Sequence, residues 1–305
     1  MDRFTVQVPA SASNLGPGFD TLGLALQLYL KVGVRSRWDG RRKISYRGVG
    51  ASILKDESES LIAKAINHVW NAIGFSGLGY ELDVQNEIPL ASGLGSSASA
   101  IVAGIEIASR LAKGKLTIAE KVKLGYAMEG HPDNVIPALI GGFVIALTNP
   151  DGHVDWVRST FPASLKIIVA TPEFSVATRT AREILPKEYT REDLVFNLQR
   201  LAALSSALST GRWPGELELM SDRVHQPSRA ELVPGLEGLL AMKLNKDLLG
   251  IALSGSGPSV IALVRGKAQE IGRLMAQEFT KAGYRSTVRH LKSDNRGARV
   301  LAPRR

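Results

Sequence analysis

Ile88-Pro89-Leu90-Ala91-Ser92-Gly93-Leu94-Gly95-Ser96-Ser97-Ala98-Ser99 is the stretch whose reading decides the fold of this chain. Before it, Tyr80, Leu82 and Val84 alternate with polar residues, as a strand does; after it, Ser99 to Leu111 reads as a helix. Glycines let the backbone take positive φ and come close to an anion. The helix that follows then aims its free N–H groups and positive dipole end at that anion. Ser96 and Ser97 add hydroxyls that can touch a phosphate or a metal held by one. The stretch is not a Walker loop, because no Gly-Lys-Ser/Thr ends it, and it is not the dinucleotide G-x-G-x-x-G. A flexible glycine-serine turn is the plainer alternative. The strand before and the helix after favour a phosphate loop.

The rest of the composition narrows the setting. The chain has 305 residues, 44% hydrophobic and 22% charged, which suits two globular domains and excludes a disordered or collagen-like chain. The longest apolar candidate, Val135 to Leu147, is broken by Pro137, Gly141 and Gly142, so no membrane span is expected. The N-terminus lacks the charged-then-apolar pattern of a secretory signal. There is no cysteine, which removes disulfides, thiolate catalysis and cysteine metal sites and fits a reducing cytoplasm. The net charge of +9 is uneven: Lys281 to Arg305 holds eight Lys or Arg against Asp294 alone. A basic surface suggests nucleic acid, but a charge confined to one end reads first as a solvated strand and tail. No nucleic-acid or membrane partner is expected.

Periodicity outlines two units. Phe4 to Val8 and Leu22 to Val34 read as strands, with Pro9 to Asp20 a loop of small and polar residues between them. Leu61 to Ile73 has helical spacing. Thr117 with Glu120 forms a capping box that opens another helix, running into Glu129-Gly-His-Pro-Asp-Asn134. The Asn149 to Pro162 stretch, with its Asp-Gly and proline, is the expected boundary, which divides the chain into 1–160 and 161–305. Beyond it, Leu165 to Ala170, Leu249 to Leu253, Val260 to Val264 and Tyr284 to Leu291 read as strands. Helices are expected at Ala177 to Ile184, Arg191 to Leu208, Pro234 to Met242 and around Ile271 to Phe279. The order β-α-β-β-α-β is that of a ferredoxin-like sandwich.

The pattern Pro-x-x-x-Gly-Leu-Gly-Ser-Ser-Ala resembles the phosphate loop of the GHMP small-molecule kinases, named for galactokinase, homoserine kinase, mevalonate kinase and phosphomevalonate kinase. Two further motifs of that family have counterparts in order: Pro9 to Leu26, centred on Asn14-Leu-Gly-Pro-Gly-Phe-Asp20, and Ala252-Leu-Ser254-Gly255-Ser256-Gly257-Pro-Ser259. The likeness spans Phe4 to Leu291. It implies two α+β domains with the active site between them, a left-handed β-α-β crossover in the N-terminal domain and a ferredoxin-like C-terminal domain. ATP and Mg²⁺ are the implied cofactors and a homodimer the implied assembly. Gly255 and Gly257 are expected to bring the third motif against the phosphate site; a tight hairpin would serve the same pattern.

Within the family, four segments are similar to its homoserine kinase branch: Asn14 to Asp20, Glu129 to Ala138, Thr178 to Pro186 and His225 to Gly235. The resemblance implies transfer of the γ-phosphoryl of MgATP to the side-chain hydroxyl of L-homoserine, at the entry to threonine synthesis. It assigns Asn14, Asp20, His131, Arg182 and Arg229 to the substrate shell. An α-carboxylate calls for Arg182 and Arg229, and an α-ammonium for Asp20, helped by Asn14 or Asp133. His131 beside Pro132 equally suits a loop-ordering role, and Arg179 and Arg191 read as solvated. Ser97 and Glu129 are the implied magnesium ligands, and Thr178 is placed near the reacting hydroxyl. Mevalonate- and galactokinase-like members have Asp where this chain has Asn134, and a neutral amide is no base. The hydroxyl proton is then expected to go straight to the γ-phosphate, with Asp133 the rival base. Ser60 stands where the family often has Asn near the adenine, which implies looser base recognition. The alternatives are a GHMP kinase for another small alcohol and a non-catalytic nucleic-acid module.

Overall fold

The computed structural model describes residues 2–53, 60–76, 78–114, 116–215 and 217–301. In chain order the first part contains β1 (Arg3–Asn14), β2 (Gly18–Arg37), β3 (Arg42–Gly48), α1 (Leu61–Ala72), β4 (Gly79–Asn86), α2 (Ser96–Leu111), α3 (Ile118–Glu129), α4 (Pro132–Ile140), β5 (Phe143–Thr148) and β6 (Val154–Ser159). The second contains β7 (Lys166–Pro172), α5 (Thr178–Glu183), α6 (Arg191–Thr210), α7 (Gln226–Arg229), α8 (Leu236–Leu240), β8 (Leu248–Leu253), β9 (Val260–Val264), α9 (Ala268–Lys281), β10 (Ser286–Leu291) and β11 (Arg299–Leu301).

Among the described residues the first sheet has seven strands. Its path is β11-β1-β2-β4-β3, with β5 joined to β2 and β6 to β5. Its one parallel pair, β3 with β4, is connected through α1. The second sheet runs β10-β7-β9-β8, all antiparallel. Taken in sequence order that is fourth, first, third, second, the strand order of the ferredoxin-like sandwich. Its strands serve two layers by simple alternation. Ile167, Val169, Ile261 and Leu263 join the core that continues under the first sheet, while Ile168, Ala170, Val260 and Ala262 face the helix side with Leu236, Met275 and Phe279.

Two expectations change. Pro9 to Asp20 is mostly strand: β1 runs on to Asn14 and pairs with β2 as far as Asn14 opposite Gly18. The residues Ala10, Ser11, Ala12 and Ser13 are small because they are fully buried beneath α2 and α4, not because they turn. The helix after the phosphate loop begins at Ser96, three residues earlier than Ser99, because left-handed Gly95 at φ +65° serves as its N-cap. The Asn149 to Pro162 stretch holds strand β6, and its Asp151-Gly152 turn closes a hairpin with β5.

The basic C-terminal segment is also less free than its charge suggests. β10 pairs with β7, and β11 returns to the first sheet beside β1. Asp294, buried, accepts from Tyr29 Oη at 2.8 Å, from Arg299 Nη1 at 2.9 Å and from the N–H groups of Arg296 and Gly297. Arg304 and Arg305 lie outside the described residues.

Candidate active site

The phosphate loop is hydrogen-bonded directly to the third motif. Ser254 Oγ donates to Gly93 O at 2.7 Å, and Ser259 N–H donates to Ser92 O at 3.1 Å. Gly93 has φ +77°, and a Cβ there would stand 2.0 Å from Ser254 O. A Cβ on Gly95 would stand 2.0 Å from Ser11 Oγ. Both glycines thus serve close approach and positive φ at once. Side chains or backbone of Ala91, Ser92, Gly93, Gly95, Ser96 and Ser97 line the polar cleft above the first turn of α2. The side chains of Leu94, Ala98 and Ser99 point inward instead: Leu94 and Ala98 are core, and Ser99 Oγ donates to Pro9 O and Gly95 O. Pro89 contributes its carbonyl, which accepts from Ser92 Oγ at 2.9 Å.

The opposite wall of the cleft comes from five other segments. Ser13, Asn14 and Asp20 come from the β1–β2 hairpin; Glu129, His131, Asp133 and Asn134 from the α3–α4 junction; Thr178 and Arg182 from α5; Arg229 from α7; Gly255 and Ser256 from the β8–β9 loop. The expected residues therefore meet in one place, although they are more than 200 positions apart in sequence. Asn14, Leu15, Asp20 and Ala91 all hold positive φ at or beside the cleft. Backbone strain of this kind costs about 1–3 kcal/mol per residue and persists where surrounding contacts enforce it. For Asp20 one such contact is visible: its N–H donates to Asn14 Oδ1 at 3.1 Å.

Two charged groupings stand at the two ends. At the phosphate end, Ser97 Oγ donates to Glu129 Oε2 at 2.7 Å. Burial pushes the Glu129 carboxyl up from its ordinary value. At the other end, Arg182 forms a two-pronged pair with Asp20, Nη2 to Oδ1 at 2.6 Å and Nη1 to Oδ2 at 3.0 Å. The two residues expected at opposite charges of one substrate thus face each other. Arg229 is buried behind them, its pKa lowered to about 10 by burial and then by Arg182. Arg179 is exposed and pairs with Glu183 at 2.7 Å on its own helix, and Arg191 is exposed at the start of α6.

Between the two ends lies a polar network that sequence reading missed. Ser11 Oγ donates to Asn134 Oδ1 at 2.8 Å, and Asn134 Nδ2 donates to Ser13 Oγ at 2.9 Å. The Ser13 hydroxyl also hydrogen-bonds the Asp133 carboxyl. Ser11 and Ser13 are two apart on β1 and so share a face; had Pro9 to Asn14 been read as strand, that spacing would have shown them. Burial, and after it the Asp20 charge, pushes the Asp133 carboxyl up to about 7. His131 stands at the N-cap of α4 without a side-chain capping bond, and burial followed by Arg182 lowers its pKa. Thr178 Oγ1 lies 3.3 Å from Ser256 Oγ across the cleft.

Next to the polar cleft, and sharing Ala91, Ser96 and Ser97 with it, is an apolar slot lined by Leu30, Tyr46, Ile62, Val84, Leu90 and Ala100. Ser60 does not line it. Ser60 is buried, and its hydroxyl accepts from Tyr46 Oη at 2.7 Å and from the Ala63 N–H as the cap of α1. Tyr46, which does line the slot, is held from behind by Ser60.

The Ser97–Glu129 oxygens fit Mg²⁺, which binds through one or two protein oxygens and keeps the rest of its shell for water and substrate phosphate. Among the described residues no cluster of three or more His, Cys, Asp or Glu forms a metal cage. No described helix is long and apolar enough to cross a membrane.

Comparison with known proteins agrees with this geometry. Residues 60–142 match the GHMP kinases N terminal domain, and residues 202–281 match the GHMP kinases C terminal domain. The homoserine kinase of Moorella thermoacetica is 38% identical over 97% of this chain and 99% of its own. That of Aquifex aeolicus is 38% identical, with the same coverage of 97% and 99%. The crystal structure of homoserine kinase from Cytophaga hutchinsonii superposes with a TM-score of 0.86 at 29% identity, covering 99% of this chain and 98% of that one. Two matched domains, near-complete relatives and a cleft built from all three motifs lead to one conclusion: this chain belongs to the GHMP kinase family.

Proposed function

We propose that the protein is a homoserine kinase, moving the γ-phosphoryl group of ATP to the side-chain hydroxyl of L-homoserine. The observation that carries this reading is one cleft with a phosphate loop at one end and Asp20, Arg182 and Arg229 at the other. Full-length likeness to curated homoserine kinases supports it. A neutral sugar alcohol has no use for that charged end, and mevalonate has no amine for Asp20.

The residues divide the work by their chemistry. The backbone of 91–97 and the first turn of α2 present N–H groups to the phosphates. The apolar slot with Tyr46 receives the base. Ser97 and Glu129 would hold Mg²⁺, which would supply positive charge beside the phosphate oxygens. Asp20 takes the substrate ammonium, and Arg182 and Arg229 its carboxylate, with Asn14 and His131 completing the shell. The hydroxyl end then lies toward Asn134 and Thr178. Asn134 has its amide oriented by Ser11 and Ser13; it orients the substrate hydroxyl but takes no proton. The proton passes to the transferring phosphoryl group. Abolished turnover in Asp133→Asn with intact homoserine affinity would make Asp133 the base instead.

The division at 160/161, the homodimer and the cytoplasmic location belong to the same proposal. Light scattering and cell fractionation test the last two. The activity itself is tested by ADP release with MgATP against L-homoserine, D-homoserine, L-serine, mevalonate and galactose. Turnover confined to L-homoserine is expected. Turnover on another alcohol keeps the phosphate site and discards the assignment of Asp20, Arg182 and Arg229. Glu129→Gln is expected to lower kcat by about 100-fold, the scale of losing one preorganised electrostatic contact to transferring charge; a silent substitution would remove Glu129 from the metal site.

A further inference from the structure

His225 is fully buried and lies outside the cleft, yet both its ring nitrogens are committed. Nε2 is 2.9 Å from Gly16 O, in the β1–β2 hairpin, and Nδ1 is 3.1 Å from Arg229 Nη1, one helical turn on. A carbonyl only accepts, so Nε2 carries the hydrogen. A guanidinium only donates, so Nδ1 is the acceptor. The partners alone therefore select one neutral tautomer. Burial, which lowers the pKa of this imidazole, agrees with it. The ring is held in place from three sides. Phe19 stacks on it at 5.4 Å, and the backbone N–H groups of Val224, His225 and Gln226 are gathered by the buried Asp222 carboxylate.

The same contacts determine what remains of Arg229. Its Nε donates to Ala181 O at 3.0 Å, and Nη1 donates to Gly255 O at 2.9 Å as well as to His225. Three of its five N–H groups are thus used, and among the described residues the Nη2 group is left for the cleft that Arg229 lines. We infer that His225 is a positioning residue: as a neutral Nε2–H imidazole it turns the Arg229 guanidinium so that Nη2 meets the substrate carboxylate, and it ties that orientation to the β1–β2 hairpin bearing Asp20. This rests on the homoserine kinase reading for the identity of the carboxylate, and on geometry alone for the His225–Arg229 contact.

Glutamine and asparagine separate the two ring functions. The Gln amide nitrogen reaches the place of Nε2 and keeps the donor to Gly16 O, while the Asn amide oxygen sits at the place of Nδ1 and keeps the acceptor for Arg229. With wild-type enzyme active on L-homoserine as the control, His225→Gln is expected to raise the homoserine KM at least about tenfold with the ATP KM within about twofold. His225→Asn is expected to recover at least about fivefold of that rise. The opposite order, Asn worse than Gln, would show a merely structural tie to Gly16 and overturn the inference, as would equal KM for homoserine in all three proteins. Should either variant fail to fold, ¹⁵N-histidine NMR of the wild-type protein decides: an Nε2–H tautomer with unprotonated Nδ1 between about pH 6 and 8 supports the inference, and an imidazolium or an Nδ1–H tautomer overturns it. An enzyme inactive on homoserine would sink the function and leave this NMR test standing.

Discussion

Arg182 and Asp20 form a fork-to-fork pair whose geometry only a guanidinium supplies. Arg182→Lys keeps the charge and loses the second prong. A charged hydrogen bond is worth about 1.5–3 kcal/mol, so the homoserine KM is expected to rise about tenfold or more while the ATP KM holds; steady-state kinetics in both substrates check this. Asp133 carries a pH signature. Unfolded, its carboxyl loses a proton near pH 4; folded, it keeps that proton to about 7. Between those values the native state binds more protons than the unfolded one, so this residue makes stability fall as pH rises, by up to ~1.4 kcal/mol per unit. Calorimetry from about pH 4.5 to 7 should therefore show the Tm of Asp133→Asn rising relative to that of the parent as pH rises. An unchanged slope would mean that Asp133 ionises freely in the fold.

At the scale of elements, the site depends on two loops that touch. Gly93→Ala places a Cβ 2.0 Å from Ser254 O at a residue with φ +77°. The left-handed backbone alone costs a non-glycine residue about 1–2 kcal/mol, and the clash adds to it. The urea midpoint is expected to fall accordingly, and the ATP KM to rise, because the loop must retreat from the motif it packs against. A folded variant with parental ATP affinity would mean that the contact is incidental. The loop motifs themselves were legible from residue type, since glycine and serine at that spacing before a helix have few other uses. The small residues Ala10 to Ser13 were not legible as strand. Smallness reads as turn when neighbours are unseen and as close packing when α2 and α4 lie on top.

At the scale of the molecule, the chain closes on itself. β11 pairs with β1, so the last described strand completes the first sheet. Asp294 holds that return: it is buried and bonded to Tyr29, Arg299 and two backbone N–H groups. Asp294→Ala leaves Tyr29 Oη and the two N–H groups without their acceptor and Arg299 with Gly297 O but no counter-charge, at an expected cost of about 3 kcal/mol. Thermal unfolding and limited proteolysis after Lys292 check this; unaltered cleavage would show that β11 holds without Asp294. The same anchoring makes a free basic arm for nucleic acid a poor description of residues 281–301.

Sequence alone determined the family, the two-unit order and most residues that line the cleft, because the glycine- and serine-rich motifs and the segments beside them are short local patterns of residue type. Tertiary structure decided what local pattern cannot encode. It set Asp20 against Arg182, placed Asn134 between two serines of a distant strand, turned Ser60 to Tyr46 outside the apolar slot, and set His225 against Gly16. Each of these is a contact between segments that approach only when the sheets close over their shared core, and hydrogen-bond partnership, unlike residue type, exists only at a distance of about 3 Å.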